Sequence, residues 1–344
     1  MKENINDRPK GLRELLVEEI NKVVDTSTGL LKEEVSEFVD CPLCGSKKFR
    51  KFWRKDGFTY VKCQDCEFVY LNPRLNESAT RAFRNGAWTN CYNKNAFYPS
   101  NDSTDLKSKI NYRNLMEIAR IVKRGNLLEI GCATGYFLQA ARDDFGFDVF
   151  GVELDEETSQ FAREKRGLDV RTTILEEAGF PENMFDVVYM RVVLEHIRKP
   201  RELLQEIHRI MRRGGLIVIE VPNVDGLIYK FVGEREVCVF GFEHVNFFSD
   251  KTLTSVLKKT GFETIQIKME SLDFTLPSLI NYFWGRPAFT TVSSPSGHSR
   301  HLFYKVSGAI SSASKFLFPI NWILPKYANT LKKGSVIIVY AVKR

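Results

Sequence analysis

Hydrophobic positions fall into two regimes along the chain. From about residue 110 onward, short apolar runs alternate with stretches whose apolar residues recur every three or four positions. The runs Asn126–Ile130, Asp148–Val152, Val170–Thr172, Phe185–Met190, Leu216–Val221, Glu263–Lys268 and Ser335–Val342 read as strands. Segments 108–123, 135–144, 156–165, 200–212 and 250–260 read as helices. Strands alternating with helices predict an α/β fold: a doubly wound, Rossmann-like parallel sheet of seven strands with helices on both faces. The interval before the last strand, about 60 residues, is too long for a turn, so an inserted subdomain is expected at about 273–334.

Upstream the pattern is different. Residues 1–40 carry a helical segment through Leu12, Leu15, Leu16, Glu19 and Ile20, then a second short segment around Val35 and Phe38. A cysteine-containing module occupies 41–70. The polar, Asn-rich stretch 71–107 reads as a connector in which Trp88, Tyr92, Phe97 and Tyr98 mark packed parts. The main domain is expected over 108–344.

Composition narrows the class. With 43% hydrophobic and 27% charged residues the chain is an ordinary globular one, so wholesale disorder is excluded. No apolar run reaches the roughly 18 residues that span a bilayer, and the N-terminus lacks the apolar core of a signal peptide. A cytoplasmic location is the expectation. The net charge of +7 permits a phosphate-bearing partner without demanding one.

Four of the seven cysteines form two C-x-x-C pairs, Cys41/Cys44 and Cys63/Cys66. Two such knuckles supply four thiolates for tetrahedral zinc, as in zinc ribbons, with no open coordination position, so the metal would be structural. Lys47, Lys48, Arg50, Lys51, Arg54 and Lys55 lie between them, interleaved with Phe49, Phe52, Trp53, Phe58 and Tyr60. That pattern fits either a nucleic-acid grip or a hairpin with one packed and one solvated face.

The stretch NLLEIGCATGYFL joins a strand to a helix through closely spaced glycines. A dinucleotide fingerprint needs G-x-G-x-x-G, but Ala133 and Tyr136 occupy its second and third glycine positions. What stands there is E-x-G-x-x-x-G: Glu129, Gly131 and Gly135. A carboxylate ahead of the turn repels a pyrophosphate and favours a cationic ligand. S-adenosylmethionine, with its sulfonium and ammonium groups, is such a ligand.

This segment resembles motif I of the class I S-adenosylmethionine-dependent methyltransferases, with Ala133 at a position that is often glycine. The resemblance continues in order to about Ile265. It implies that Glu153, at the end of FGVELD with Leu154 beside it, accepts the ribose hydroxyls. It implies that Ile174 and Leu175 flank the adenine, and that Arg191 lies near the methionine end of the cofactor. His196, in the Leu-Glu-His-Ile segment, would follow close to the transferable methyl; a core-capping role is its alternative.

Methyl transfer needs alignment of donor and nucleophile, and a base where the acceptor must lose a proton. Glu243 and His244, just ahead of the helix that Ser249 would cap, are the candidates; His244 could instead only shape the cap. The zinc module, the core and the E-V-P…E-H-V-x-x-F-S series together resemble the bacterial sugar C-methyltransferases, in which the Glu-His pair lies in the active site. Gly241 stands where those enzymes commonly carry tyrosine. The expected acceptor is a small molecule of sugar or polysaccharide-precursor type, methylated on C, O or N. An RNA acceptor gripped by the basic hairpin, or a non-catalytic cofactor binder, are the alternatives. The apolar segment SKFLFPINWILPKYANTLKK is expected to cover the pocket or to touch a membrane surface.

Overall fold

The computed structural model describes residues 11–96, 106–236, 238–271, 330–331 and 333–344. The expected insert lies almost wholly outside the described residues, as do Phe97, Tyr98 and nearly all of SKFLFPINWILPKYANTLKK.

In chain order the elements are α1 (Leu12–Val23), β1 (Ser36–Glu37), β2 (Phe49–Lys55), β3 (Phe58–Cys63), β4 (Val69–Leu71), β5 (Arg74–Leu75), α2 (Glu77–Arg84), α3 (Ala87–Ala96) and α4 (Leu106–Ile121). There follow β6 (Asn126–Ile130), α5 (Tyr136–Asp143), β7 (Asp148–Glu153), α6 (Glu156–Arg166), β8 (Asp169–Thr172), β9 (Phe185–Arg191), α7 (Pro200–Ile210) and β10 (Met211–Pro222). The last are α8 (Leu227–Val232), β11 (Asn246–Phe247), α9 (Asp250–Lys259), β12 (Phe262–Glu270) and β13 (Val336–Lys343). The chain divides into two compact units. One comprises Met1–Cys91, Pro222–Thr252 and Lys268–Ile337; the other comprises Tyr92–Val221, Leu253–Ile267 and Ile338–Arg344.

The second unit is built on a seven-stranded sheet of order β12-β13-β10-β9-β6-β7-β8. The pairings from β10 through β8 are parallel. Burial on both faces explains the uninterrupted apolar runs: Leu127, Leu128, Val187, Val188, Ile217 and Val218 are all fully buried. Helix ends follow local chemistry. Asp155 caps α6 by accepting the Thr158 N–H at 2.8 Å, and Gly167 ends it in the left-handed conformation. The order reverses between β9 and β6, which puts a ligand crevice beyond the carboxyl ends of those two strands.

The first unit holds a four-stranded sheet of order β11-β4-β3-β2. Asp56 and Gly57, both left-handed, turn β2 into β3, as an Asp-Gly pair does in a tight hairpin. The cysteine module is thus tied to a strand far downstream in the chain, since β11 pairs with β4 through Asn246↔Tyr70 and Phe247↔Val69. The stretch expected as a connector carries β5, α2 and α3. Asn76 caps α2 through the Ala79 N–H, and the Phe83 and Trp88 rings are buried and stacked 5.5 Å apart. Hydrophobic burial, of which Trp88 was the sign in the sequence, makes this stretch part of the fold.

Candidate active site

In the first unit, the four cysteine sulfurs all lie within 4.8 Å of one another. Cys41 and Cys66 are 3.5 Å apart, Cys44 and Cys63 are 3.6 Å apart, and all four are free thiols. Metal–sulfur bonds of about 2.3 Å in a tetrahedron separate sulfurs by about 3.8 Å, so the set fits one cation after small adjustments. The two knuckles are built alike. Gly45 N–H bonds Cys41 O and Glu67 N–H bonds Cys63 O, with Gly45 and Glu67 both left-handed. Backbone N–H groups of Leu43 and Cys44 donate to the Cys41 sulfur, that of Ser46 to Cys44 and that of Phe68 to Cys66. Such donors favour thiolates.

The hairpin's mixed pattern resolves into two faces. Phe58 and Tyr60 are buried, and the Trp53 ring stacks on Tyr229 at 5.6 Å. Lys47, Lys48, Arg50, Lys51 and Arg54 remain exposed with Phe49, whereas Lys55 donates to the Glu236 carbonyl at 2.9 Å.

In the second unit, Glu129, Gly131, Ala133 and Gly135 form the turn from β6 to α5. Gly131, Ala133 and Gly135 are all left-handed, with φ of 73°, 46° and 74°. Glycine takes this conformation without strain, which explains the usual glycine where Ala133 stands. A Cβ on Gly131 would meet Val193 Cγ2 at 2.7 Å, so glycine here admits the segment that follows β9. That segment is strained as well. Val192, a β-branched residue, has φ of 55°.

Glu153 has a task the sequence did not reveal. Its carboxylate accepts the Ala133 N–H at 2.8 Å, the Leu154 N–H at 2.8 Å and the Asp155 N–H at 2.9 Å. It therefore holds the glycine turn against the end of β7, with one lone pair of Oε2 still open to a further donor. Glu129 is buried, and among the described residues its Oε2 has no hydrogen-bond partner. Burial lifts its carboxyl well above the usual range and the Glu153 charge adds to this, with Arg191 opposing.

Arg191 donates from Nε to Glu220 at 2.9 Å, and Glu220 in turn accepts from Asn114 at 3.0 Å. Asn114 also donates to the Tyr189 hydroxyl. Asn114, Tyr189 and Glu220 did not figure among the sequence-derived site residues, and no motif spacing connects α4 to β10. Glu195 is wholly buried, and among the described residues neither of its oxygens has a hydrogen-bond partner besides its own backbone N–H. Burial pushes it up to about 8; its own backbone N–H draws it down only in part, and Glu220 and Arg191 act on it in opposite senses.

Leu154, Ile174 and Val192 are 53%, 39% and 41% exposed at the carboxyl ends of β7, β8 and β9. Large apolar side chains left open at one rim of a parallel sheet suit a ligand's apolar surface. Leu175 points the other way and is buried, because Ile174 ends the extended backbone and Leu175 begins a turn. His196 is half-buried and closes the short turn Leu194–His196 that follows β9.

Glu243 and His244 belong to the first unit. Burial raises Glu243 to about 7, and Arg84 from α2 opposes the shift. The carbonyl of His244 accepts the Tyr60 hydroxyl at 2.9 Å. Gly241 is required by packing: a Cβ there would meet Phe58 Cγ at 2.1 Å, so no tyrosine fits. Ser249 caps α9 as expected, its Oγ accepting the Thr252 N–H at 3.2 Å.

Residues 104–267 match the family model described as a methyltransferase domain. An uncharacterized protein of Methanocaldococcus jannaschii is 30% identical over 161 residues, 46% of this chain and 76% of that protein. A Mycolicibacterium smegmatis protein named "Probable S-adenosylmethionine-dependent methyltransferase" is 30% identical over 139 residues, 40% of this chain and 52% of its own length. A tRNA U34 carboxymethyltransferase of Alteromonas mediterranea is 29% identical over 159 residues, 42% of this chain. The chain spans only 47% of the length of that last relative.

Proposed function

The chain belongs to the S-adenosylmethionine-dependent methyltransferase family, and from that premise we propose that it methylates a small acceptor of sugar or polysaccharide-precursor type. The observation that carries the cofactor half is the buried Glu129 Oε2, which lacks a donor at the very turn where glycines admit a ligand. A bound S-adenosylmethionine would supply a methyl carbon already activated by its sulfonium. Glu129 would receive the cofactor's ammonium. Glu153, through its remaining lone pair, would receive a ribose hydroxyl. Leu154 and Ile174 would cover the adenine.

For the acceptor, Glu243 and His244 are the proposed base. A carboxyl raised to about 7 by burial is a stronger proton acceptor than an ordinary one, which suits deprotonation of a hydroxyl. His196 is the proposed second contact with the acceptor. The four cysteines would hold structural zinc, supported by their mutual distances and amide donors.

Turnover of radiolabelled cofactor against a panel of nucleotide-linked sugars tests the acceptor. Methyl incorporation that His244→Ala abolishes while leaving cofactor affinity within about twofold supports the reading. No incorporation on any sugar, with transfer to another acceptor class, ends it. The exposed basic face of β2 favours a second reading, an RNA acceptor. RNA affinity falling steeply with added salt would support that; no binding at low salt would exclude it.

A further inference from the structure

We propose that Glu195 faces the sulfonium of the bound cofactor and makes the site prefer S-adenosylmethionine over its demethylated product. This rests on the cofactor reading above. Three observations carry it. The first is position. Glu195 lies just beyond β9, which neighbours β6 where the strand order reverses, the place where a doubly wound sheet binds its ligand. The near contact of Gly131 with Val193 brings the segment containing Glu195 against the glycine turn.

The second is how the carboxyls at this end of the sheet are satisfied. Glu153 is occupied by three backbone N–H groups. Glu220 is occupied by Arg191 and Asn114. The Nε of Arg191 is thereby engaged, and its charge is shared with Glu129 and Glu195. Two carboxyls remain: Glu129, with Oε2 unpartnered, and Glu195, with both oxygens unpartnered. A buried carboxyl oxygen without a hydrogen-bond donor is costly, and one Arg191 shared among three carboxyls offsets that only in part, so each of these points to a ligand that supplies positive charge.

The third is the match in number and kind. The cofactor carries two positive centres, an ammonium that donates N–H bonds and a sulfonium that donates none. The ammonium answers Glu129 in the reading above. The sulfonium is left without a counter-charge, and among the described residues Glu195 is the carboxyl at this end of the sheet with both oxygens unpartnered. Coulombic attraction needs no donor hydrogen, so an unpartnered carboxylate can serve a sulfonium. After transfer the S–CH3 electron pair remains on sulfur and the thioether is neutral. The attraction to Glu195 then ends, and product leaves more readily than substrate.

The test is calorimetric titration of the full chain with S-adenosylmethionine and, separately, S-adenosylhomocysteine, at a pH above the Glu195 value of about 8. Glu195→Gln keeps shape and removes charge. We expect the affinity ratio of the two ligands to fall by about tenfold or more, with S-adenosylhomocysteine affinity changed by less than about twofold. Glu195→Asp, which keeps the charge, should retain most of the ratio. An unchanged ratio in Glu195→Gln overturns the proposal. If Glu195→Gln binds neither ligand, Glu195→Asp decides: a retained ratio supports the proposal, and loss of both makes Glu195 a packing group and overturns it. Wild-type protein that binds neither ligand defeats the cofactor reading itself, a distinct result.

Discussion

The four cysteine sulfurs of the first unit and the four carboxyls at the end of the seven-stranded sheet are both crowded sets of acidic groups. Their surroundings differ. The sulfurs come from two short turns in residues 41–66, and three of them receive backbone N–H donors from their own knuckles. The carboxyls come from β6, β7, β10 and the turn after β9, and two of them have oxygens that receive no donor. A cluster supplied by its own backbone is complete once one cation enters. A cluster left partly unsupplied has room for a ligand that brings its own charge. The same physics of buried anions thus distinguishes the proposed metal site from the proposed cofactor site.

The comparison can be broken at its strongest point first. Chelation, or the pair Cys63→Ser and Cys66→Ser, should remove about one zinc per chain and lower unfolding free energy by several kcal/mol, roughly 5 or more, read by metal analysis and denaturant titration. If the protein melts unchanged and holds no metal, the sulfurs are not a metal site. Next in size is Arg191→Met, which leaves Glu220 buried without its cation and should cost about 3–5 kcal/mol by the same titration. Loss of less than about 1 kcal/mol would show that Asn114 alone suffices.

Glu153→Ala should cost less in stability, about 1.5–3 kcal/mol for the lost charged hydrogen bonds, but should weaken S-adenosylmethionine binding strongly. Unchanged calorimetric affinity would contradict the assignment of Glu153. The pH response follows from the raised carboxyls. Glu195 is raised to about 8, Glu243 to about 7 and Asp56 to about 6, so the folded protein binds more protons than the unfolded one between these values and the ordinary ones. Their contribution to stability is present in full below the ordinary carboxyl range and is lost as pH rises through about 6 to 8. The ligand-free melting temperature should therefore fall over that window, and Glu195→Gln should flatten its upper part. The smallest effect is common to both clusters, because each has a non-glycine residue in a left-handed turn. Ala133→Gly and Glu67→Gly should each relieve about 1 kcal/mol of strain, read as a small rise in melting temperature.

Much of the fold was legible because a parallel sheet buried on both faces writes itself as apolar runs. The strands expected at Asn126–Ile130 and Phe185–Met190 match β6 and β9 to within one residue. The connector was legible only in part. Trp88 was expected to pack, but its stacking partner Phe83 was not singled out from the Asn-rich surroundings. At the candidate site, Glu129 and the glycine spacing could be read because a tight strand-to-helix turn with left-handed residues constrains its neighbours. Glu195 could not be singled out, since Leu-Glu-His-Ile does not reveal which of its side chains turns inward.

By itself the sequence determined what is local: the two cysteine knuckles, the Asp-Gly hairpin, the alternation of strands with helices, and a carboxylate ahead of a glycine turn. Each rests on residues close enough in the chain for backbone geometry to fix their relation. Only the tertiary structure decided which carboxyls are satisfied. Asn114, Arg191 and Glu220 meet because β9 and β10 are neighbours in the sheet and α4 supplies the amide that completes the set. Hydrogen-bond supply to a buried group depends on which elements surround it, and that is settled when the sheet forms.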